Sequence, residues 1–266
     1  RIEAQDMSNS GWNYTSSSSY VTLSFWVKSS VAQNFYGVLQ TSDGTAQIYT
    51  FETGSLTSDT WTKVTKTIAG NSNLQFDNNA NEGFRIDFWP FGGTNYTDAG
   101  VTLNQWATYA SATRMPDNTS TWYTTNDATF EITGVQLEVS DHATDFEHRS
   151  FAQELALCQR YYFKFLEGNN KEINVAWYYT NNHISTLFRY PTTMRTVPTP
   201  TVVSGTNYFF IARAGALDYF SGFTFENGST EQYSALNSTE TSGTAGQAGI
   251  TRAVNAAAKV EFSAEL

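Results

Sequence analysis

Three histidines limit the acid–base and nucleophilic chemistry that this chain can perform. His142 and His148 lie close together in a polar segment, and His183 lies far from both in the sequence. None accompanies a serine nucleophile motif, and the sequence contains no GxSxG, HExxH, P-loop or GxGxxG pattern. We therefore expect His148 to hydrogen-bond backbone at a domain corner rather than to act as a general base.

Paired carboxylates are the second chemistry to consider, because glycoside hydrolysis needs two acidic groups on either side of a sugar-binding cleft. The chain has 25 Asp and Glu residues, so a pair can be drawn in many ways. Asp87 and Glu131 form the best pair, since both lie in strand-like segments at positions that could face outward. Nothing else in the sequence distinguishes them, and we expect the protein not to be an enzyme.

Aromatic rings outside the core are the strongest candidates for a binding surface, because indoles and phenols stack on the apolar faces of sugar rings. Trp26 and Trp89 fall on the polar phase of their strand patterns. Other rings lie in loop-like segments, and the sequence predicts a glycan-binding surface formed by Trp89, Asn95, Tyr96, Trp106, Trp122 and Tyr123. The same rings could instead pack between subunits or beneath loops as a second core, and for any single residue subunit packing is favoured.

The composition excludes several classes of partner. The net charge is −10 and no cluster of basic residues occurs, which argues against nucleic acid. A single cysteine, Cys158, rules out an intrachain disulfide, and no CxxC or His-rich cluster suggests zinc. No apolar run approaches the ~18 residues that cross a bilayer. The chain opens with Arg1 rather than Met, so we expect it to be part of a longer polypeptide or a trimmed product.

The first half of the chain has the alternating pattern of β-strands. Apolar and polar residues alternate over residues 21–28, and similar strand patterns cover 61–68, 84–89 and 130–139. In the last of these the apolar phase slips by one residue at Gly134, which predicts a β-bulge. Turn-rich segments separate the strands, as in an antiparallel sandwich.

A helix is predicted to follow these strands. Ser150 and Gln153 have the spacing of a capping box. Four apolar residues then recur on one face over about four turns, namely Phe151, Leu155, Cys158 and Tyr162. A helix of this length is not stable alone, so we expect the stripe to dock on a neighbouring surface, with Cys158 as an inert member of it.

From residue 173 the strand pattern returns, in segments that include INVAWYY, HISTLFRY, YFFIAR and KVEFSAEL. Two prolines within 192–200 predict entry into an edge strand, and the small polar residues of 231–248 predict a long surface loop. The predicted fold is all-β. It has a jelly-roll β-sandwich over residues 1–145, a helical connector over 146–166 and a smaller C-terminal β-sandwich over 167–266.

Several short segments of the sequence resemble a known family. The junction words ITGVQLEV, ATDFEHRSF and LALCQRYY resemble the corresponding region of bacteriophage virion proteins of the tail-fibre or receptor-binding type, particularly those of marine phages. RIEAQD with VTLSFWVKSS at the front, and YPTTMRTVPTPTV with KVEFSAEL at the back, are similar to the ends of such proteins. Residues 71–129 contain no segment with such a resemblance.

The resemblance implies a carbohydrate-binding-module-like sandwich, a short helix and a second β-domain. It further implies a non-enzymatic fibre or receptor-binding protein of the virion, a homotrimer that recognises host-surface glycan beside other virion proteins. The resemblance of the RIEAQD segment also implies a structural calcium ion held by Glu3 and Glu138. Alternatively, both carboxylates are solvated or paired with Arg1 and Arg149.

Two other functions remain open at this point. One is a polysaccharide depolymerase of a phage tail, and the other is a purely architectural protein of the fibre or capsid surface. The residues alone support an extracellular-type binding or structural module, without nucleic acid or membrane insertion.

Overall fold

The computed structural model describes residues 1–118 and 121–266, which form two compact units. The first unit comprises residues 1–148 with Leu266, and the second comprises residues 149–265. Each unit has two main sheets of antiparallel strands around one apolar core. The prediction of an all-β, sandwich-like fold is therefore confirmed.

The first unit is built from short and medium strands joined by turn-rich loops. In chain order its elements are β1 (Ile2–Glu3), α1 (Ala4–Ser8), β2 (Tyr20–Ser29), β3 (Asn34–Thr41), β4 (Gln47–Ser55), β5 (Thr62–Ala69), β6 (Glu82–Trp89), β7 (Trp106–Thr108) and β8 (Phe130–Glu138). One sheet has the order β1-β6-β3-β4-β7, and the other has the order β5-β2-β8.

The alternation read from the sequence explains how these sheets enclose a core. Val21, Leu23, Phe25 and Val27 of β2 are all buried, as predicted, while Trp26 between them is exposed. The inward side chains of β2 pack with those of both sheets in a single cluster. The four strand segments predicted in this half correspond to β2, β5, β6 and β8.

The bulge predicted in β8 is present. The pairing of β8 with β2 slips by one residue at Gly134, whose φ of 59° lies in the left-handed region that favours glycine. Beyond the bulge Leu137 packs on the core, but Val135 and Val139 are exposed. The shifted apolar phase therefore returns only Leu137 to the core, because Val135 lies within the bulge and Val139 follows the end of the strand at Glu138.

The second unit begins with a helix and continues as strands. In chain order its elements are α2 (Phe151–Gln159), β9 (Tyr162–Glu167), β10 (Lys171–Thr180), β11 (His183–Arg189), β12 (Thr199–Val203), β13 (Phe209–Arg213), β14 (Ala216–Phe220), β15 (Thr224–Glu226), β16 (Gln232–Asn237), β17 (Ala248–Ala253) and β18 (Lys259–Ser263). The larger sheet has the order β14-β13-β17-β10-β11-β16-β15, and the smaller has the order β12-β18-β9.

Aromatic side chains fill the core of the second unit. Phe188 of β11 lies at its centre, with ring centroids 4.8 Å from Phe165, 5.3 Å from Phe223 and 5.9 Å from Phe262. Because the rings come from both sheets, they hold the sheets together. β12 contains Pro200 and lies at the edge of its sheet, as predicted.

Two predictions for this half of the chain are wrong. The predicted loop over residues 231–248 contains β16, whose Ala235 is buried, so that only residues 238–247 connect the strands. The predicted docking of the helix stripe is also wrong, because no side chain of α2 is buried and Phe151 and Cys158 are exposed. Tyr162 belongs to β9, which pairs with β18, so the helix is shorter than predicted. The capping box of Ser150 and Gln153 is confirmed.

A strained turn in the second unit gives a stability prediction. Ala214 and Gly215 join β13 to β14 with φ values of 42° and 78°, the positive pair found in type I′ turns. Alanine is strained there, whereas asparagine tolerates this conformation. We expect Ala214→Asn to raise the free energy of unfolding by about 0.5–1 kcal/mol, measured by urea unfolding. Ala216→Asn, at an exposed strand position, is the control, and an equal gain in both variants would contradict the explanation.

Candidate functional site

The predicted binding residues lie near the long connection between β6 and β8. Trp89 ends β6, and its ring meets that of Tyr96 edge to face, with centroids 5.9 Å apart. The guanidinium carbon of Arg114 lies 5.5 Å from the centre of the Trp89 ring, 5.0 Å from that of Tyr96 and 5.4 Å from that of Tyr109. We call these four residues the Arg114 cluster.

Backbone contacts hold the Arg114 cluster in place. The Arg114 N–H donates to the carbonyl of Tyr96 at 3.0 Å, and the Arg114 carbonyl accepts from the hydroxyl of Thr50 on β4 at 2.7 Å. Its guanidinium Nη2 donates to Ser111 Oγ at 3.2 Å. Cation–π contacts of this kind contribute about 0.5–1 kcal/mol each at exposed sites. Tyr96 and the neighbouring Asn95 are nevertheless exposed, so they are available to a ligand.

A second aromatic feature lies in the same connection. The rings of Phe91 and Tyr123 are stacked, with centroids 4.2 Å apart and an interplanar angle of 12°. The side chain of Tyr123 is 64% exposed, and Phe91 is also exposed. The sequence analysis identified Tyr123 but missed Phe91, although its position two residues after Trp89 continues the outward phase of β6. We call this pair the Phe91–Tyr123 stack.

Trp106 does not belong to the binding surface predicted from the sequence. It begins β7 rather than lying in a loop, and it is one of the rings that pack against the core of the first unit. Its ring centroid is 5.3 Å from that of Tyr49 and 6.4 Å from that of Phe84. Its indole N–H donates to the carbonyl of Ala69 at 2.8 Å. The ring is therefore part of the fold.

Trp122 also packs inward. It lies in a loop as predicted, but its ring packs on the core cluster and meets Phe130 edge to face, with centroids 6.4 Å apart. The indole N–H donates to the carbonyl of Thr129 at 3.0 Å. Trp106 and Trp122 thus pack inward, as in the alternative interpretation of the sequence, but both rings extend the core of the first unit rather than form a second core.

The carboxylate pair considered for hydrolysis is divided between the two sheets. Asp87 lies on β6 and pairs with Arg85 at 3.0 Å. Glu131 lies on β8, in the other sheet, and pairs with Lys28 at 2.8 Å. Because each side chain points away from the core of the sandwich, the two carboxylates lie on opposite sides of it. They cannot flank one sugar unit.

The histidines of the junction have local partners. His142 Nδ1 lies 2.7 Å from Asp141 Oδ1, and this hydrogen bond raises the pKa of His142. The ring of His148 meets Phe146 edge to face at 5.1 Å. Both histidines therefore contact residues of their own segment.

The predicted calcium ligands do not fit a calcium ion. Glu3 is fully buried and accepts a hydrogen bond from Gln5 at 2.6 Å. The oxygens of Glu138 accept from Thr144 N at 2.9 Å and from Thr144 Oγ1 at 2.8 Å. Within residues 1–118 and 121–266, no three His, Cys, Asp or Glu side chains are grouped as metal ligands. Calcium prefers six to eight oxygen ligands, and the structure shows the two carboxylates in hydrogen bonds rather than in such a group.

The larger sheet of the second unit exposes a row of aliphatic side chains. Val175 of β10 pairs with Ile250 of β17, which pairs with Ala212 of β13, which in turn pairs with Leu217 of β14. Val175, Ile250 and Leu217 are all exposed on the outer face of the sheet. We call Val175, Ile250, Ala212 and Leu217 the aliphatic row. Exposed apolar rows of this kind typically mark contacts with another molecule.

Comparisons of the chain with models of known protein families, with curated proteins and with solved structures find no match. Among the described residues, no helix has the length and apolar character needed to span a membrane.

Proposed function

We propose that this chain is a non-enzymatic virion protein of the phage tail-fibre or receptor-binding type, which attaches to host-surface glycan. The observation that carries glycan binding is the pair of exposed aromatic features between β6 and β8, and the virion role rests on the sequence resemblance. The Arg114 cluster and the Phe91–Tyr123 stack present rings to solvent, whereas Trp106 and Trp122 of the same connection pack on the core.

The chemistry of these features suits a carbohydrate. The exposed rings of Tyr96 and Tyr123 offer flat apolar faces on which a pyranose can stack. The guanidinium of Arg114 and the amide of Asn95 can donate hydrogen bonds to hydroxyl or carboxylate oxygens of the sugar. Only 15% of the residues of the chain are charged, so hydroxyls and amides are the main polar groups available to a sugar.

A binding function agrees with the positions of the carboxylates. Asp87 and Glu131, the best hydrolytic pair in the sequence, each form an ion pair on a different sheet. Hydrolysis of a glycosidic bond typically requires two carboxylates across one cleft. This separation removes the one pair that the sequence offered for hydrolysis, and we propose that the protein holds the glycan without cleaving it.

The aliphatic row supports the homotrimer as part of the same proposal. Val175, Ile250 and Leu217 form a continuous apolar line across four strands, and neighbouring copies of the chain would bury it. A trimer would present three glycan-binding surfaces to a cell on which the glycan is repeated, which raises the avidity.

Truncating an exposed ring should weaken glycan binding without unfolding the protein. We expect Tyr96→Ala and Tyr123→Ala each to lower the affinity for the recognised glycan by about tenfold, because the loss of one well-placed stacking ring costs over ~1 kcal/mol. The measurement is a titration on arrays of host-type glycans. Tyr20→Ala is the matched control, since Tyr20 is 37% exposed and Tyr96 is 41% exposed.

Unchanged affinity in both variants would contradict the binding surface proposed here. New reducing ends after long incubation with host polysaccharide would instead establish a depolymerase. Absence of any glycan signal from a correctly folded trimer would leave the architectural function.

A further inference from the structure

A groove on the second unit brings together residues that were not identified as a site from the sequence. It lies on the outer face of the larger sheet, beside the aliphatic row, and has a volume of about 230 Å³. Its lining combines two large aromatic rings, an imidazole, two serine hydroxyls and a carboxylate, from Trp177, Tyr179, His183, Ser185, Ser234 and Glu226. We call this the sheet groove.

The strand register places these side chains around one space. Trp177 of β10 pairs with Ser185 of β11, and Ser234 of β16 pairs with Glu226 of β15. The strands follow one another in the order β10, β11, β16, β15. Three strand spacings separate the aromatic side from the carboxylate side, or roughly 14 Å between backbones. Ser185 and Ser234 lie diagonally between them, and each pairs across the strands with a leucine, so the space for a ligand lies over the two serines.

The aromatic side of the sheet groove is open to solvent. Tyr179 is 70% exposed and Trp177 is 41% exposed. His183 meets the Tyr179 ring edge to face at 5.5 Å, and its Nε2 lies 3.3 Å from Ser185 Oγ. These contacts hold the imidazole against Tyr179 and Ser185, at one wall of the groove.

Two polar groups at opposite ends of the groove have no partner within the described residues. They are the indole N–H of Trp177 and the carboxylate of Glu226. Trp106 and Trp122 differ in this respect, because their indoles donate to backbone carbonyls. The unused donor and acceptor can therefore meet a ligand.

We propose that the sheet groove binds a neutral pyranose unit of a glycan. The sugar would stack its apolar face on Trp177, and two of its hydroxyls would donate to Glu226, which accepts through two oxygens. The described lining contains no Lys or Arg that could pair with an acidic sugar. Glycan as the class of ligand rests on the proposed function, whereas the groove shares no residue with the surface proposed there.

Two observations select a bound sugar over other occupants. Glu226 is the only carboxylate in the described lining, so the groove lacks the second acid that hydrolysis requires. A second copy of the chain would fit the aliphatic row better, because an apolar partner over the groove would leave Glu226 buried and unpaired. A sugar instead supplies hydroxyl donors to that carboxylate.

Fluorine NMR of the full chain labelled with 5-fluorotryptophan tests the proposal. The signals of Trp177 and Trp89 are assigned from Trp177→Phe and Trp89→Phe, and neutral methyl hexopyranosides and sialic acid are the probes. We expect a saturable shift of the Trp177 signal with at least one neutral glycoside and none with sialic acid. Glu226→Gln should weaken this binding about tenfold, equivalent to the loss of a hydrogen bond to a charged group.

The controls separate the groove from the rest of the protein. The exposed fraction of Trp26, 40%, is similar to that of Trp177. Trp26 lies on β2 in the first unit, so its signal should not move. Unfolding curves establish that Glu226→Gln remains folded. A shift of the Trp89 signal alone would overturn the sheet groove and leave the proposed function standing. No Trp177 shift with any neutral glycoside, or an equal shift with sialic acid, would also overturn the proposal.

Discussion

Gly249→Val is expected to prevent folding of the second unit while the first unit folds normally. Gly249 lies in β17, between β10 and β13. A Cβ at this position would overlap the carbonyl oxygen of Ala212 and would lie 2.9 Å from Cγ1 of Ile211, both on β13. The obstacle is backbone in the middle of a sheet, so it cannot rotate away as a side chain would.

The expected cost is large compared with the stability of a domain. Ala212 pairs with β14 on one side and with β17 on the other, so moving it disrupts two strand pairs. Overpacking of this kind belongs to the class of substitutions that exceed ~4 kcal/mol, whereas whole domains are stable by about 5–15 kcal/mol. We therefore expect the unfolding transition of the second unit to disappear.

Calorimetry provides the measurement, because the two units have separate cores and should give two transitions. Gly246→Asn is the matched control: Gly246 precedes Gly249 by three residues, has a φ of 84°, and has no atom within 4 Å of an added Cβ. Asparagine tolerates that conformation, so both transitions should persist. Two intact transitions in Gly249→Val would show that β17 can separate from β13 without unfolding.

Four strands of the first unit, β2, β5, β6 and β8, could be predicted because their apolar residues recur at every second position. In β2 every second residue enters the core, and this alternation is visible in the letters VTLSFWVK. The bulge at Gly134 was predictable for the same reason, since a slip in register shifts the apolar phase. The capping box at Ser150 was predictable because its contacts span only three residues.

Burial of individual rings could not be predicted in the same way. Trp106 donates to Ala69, which is distant in the sequence, and only the folded chain shows that its indole is satisfied there. The strand β16 was missed because its sequence, QYSALN, is polar and its single buried aliphatic residue is the small Ala235. Polar side chains on an outer face obscure the period on which a strand prediction depends.

The candidate sites depend on long-range pairing, which explains why they were predicted only in part. Arg114 lies in the segment SATRMP, which has no local signature, and its partner rings come from separate turns. The sheet groove likewise combines Trp177, Glu226 and His183 from three strands. Single aromatic and acidic residues are common in β-proteins, and their meeting is decided by register.

Replacing two members of the aliphatic row by charges should convert the proposed trimer to a monomer. Val175 and Ile250 face each other across β10 and β17. In Val175→Glu with Ile250→Lys, the new side chains can pair with each other, so the sheet itself should remain stable. Within an interface, however, both charges would lose water without gaining a better partner, which costs several kcal/mol. We therefore expect complete dissociation, measured by light scattering as a fall from three chain masses to one.

The matched control places the same charges on two exposed valines outside the aliphatic row. Val135 and Val139 of the first unit are exposed to a similar degree as Ile250, so Val135→Glu with Val139→Lys should remain trimeric. A monomeric unmodified chain, or a trimer that survives the change in the aliphatic row, would contradict the proposed assembly. In the dissociated variant each glycan-binding surface should keep its affinity for a soluble glycoside, while retention on a dense glycan array should fall by about 100-fold, because the three surfaces no longer bind together. Loss of both the affinity for the soluble glycoside and the retention on the array would instead indicate that the glycan site is completed by a neighbouring copy.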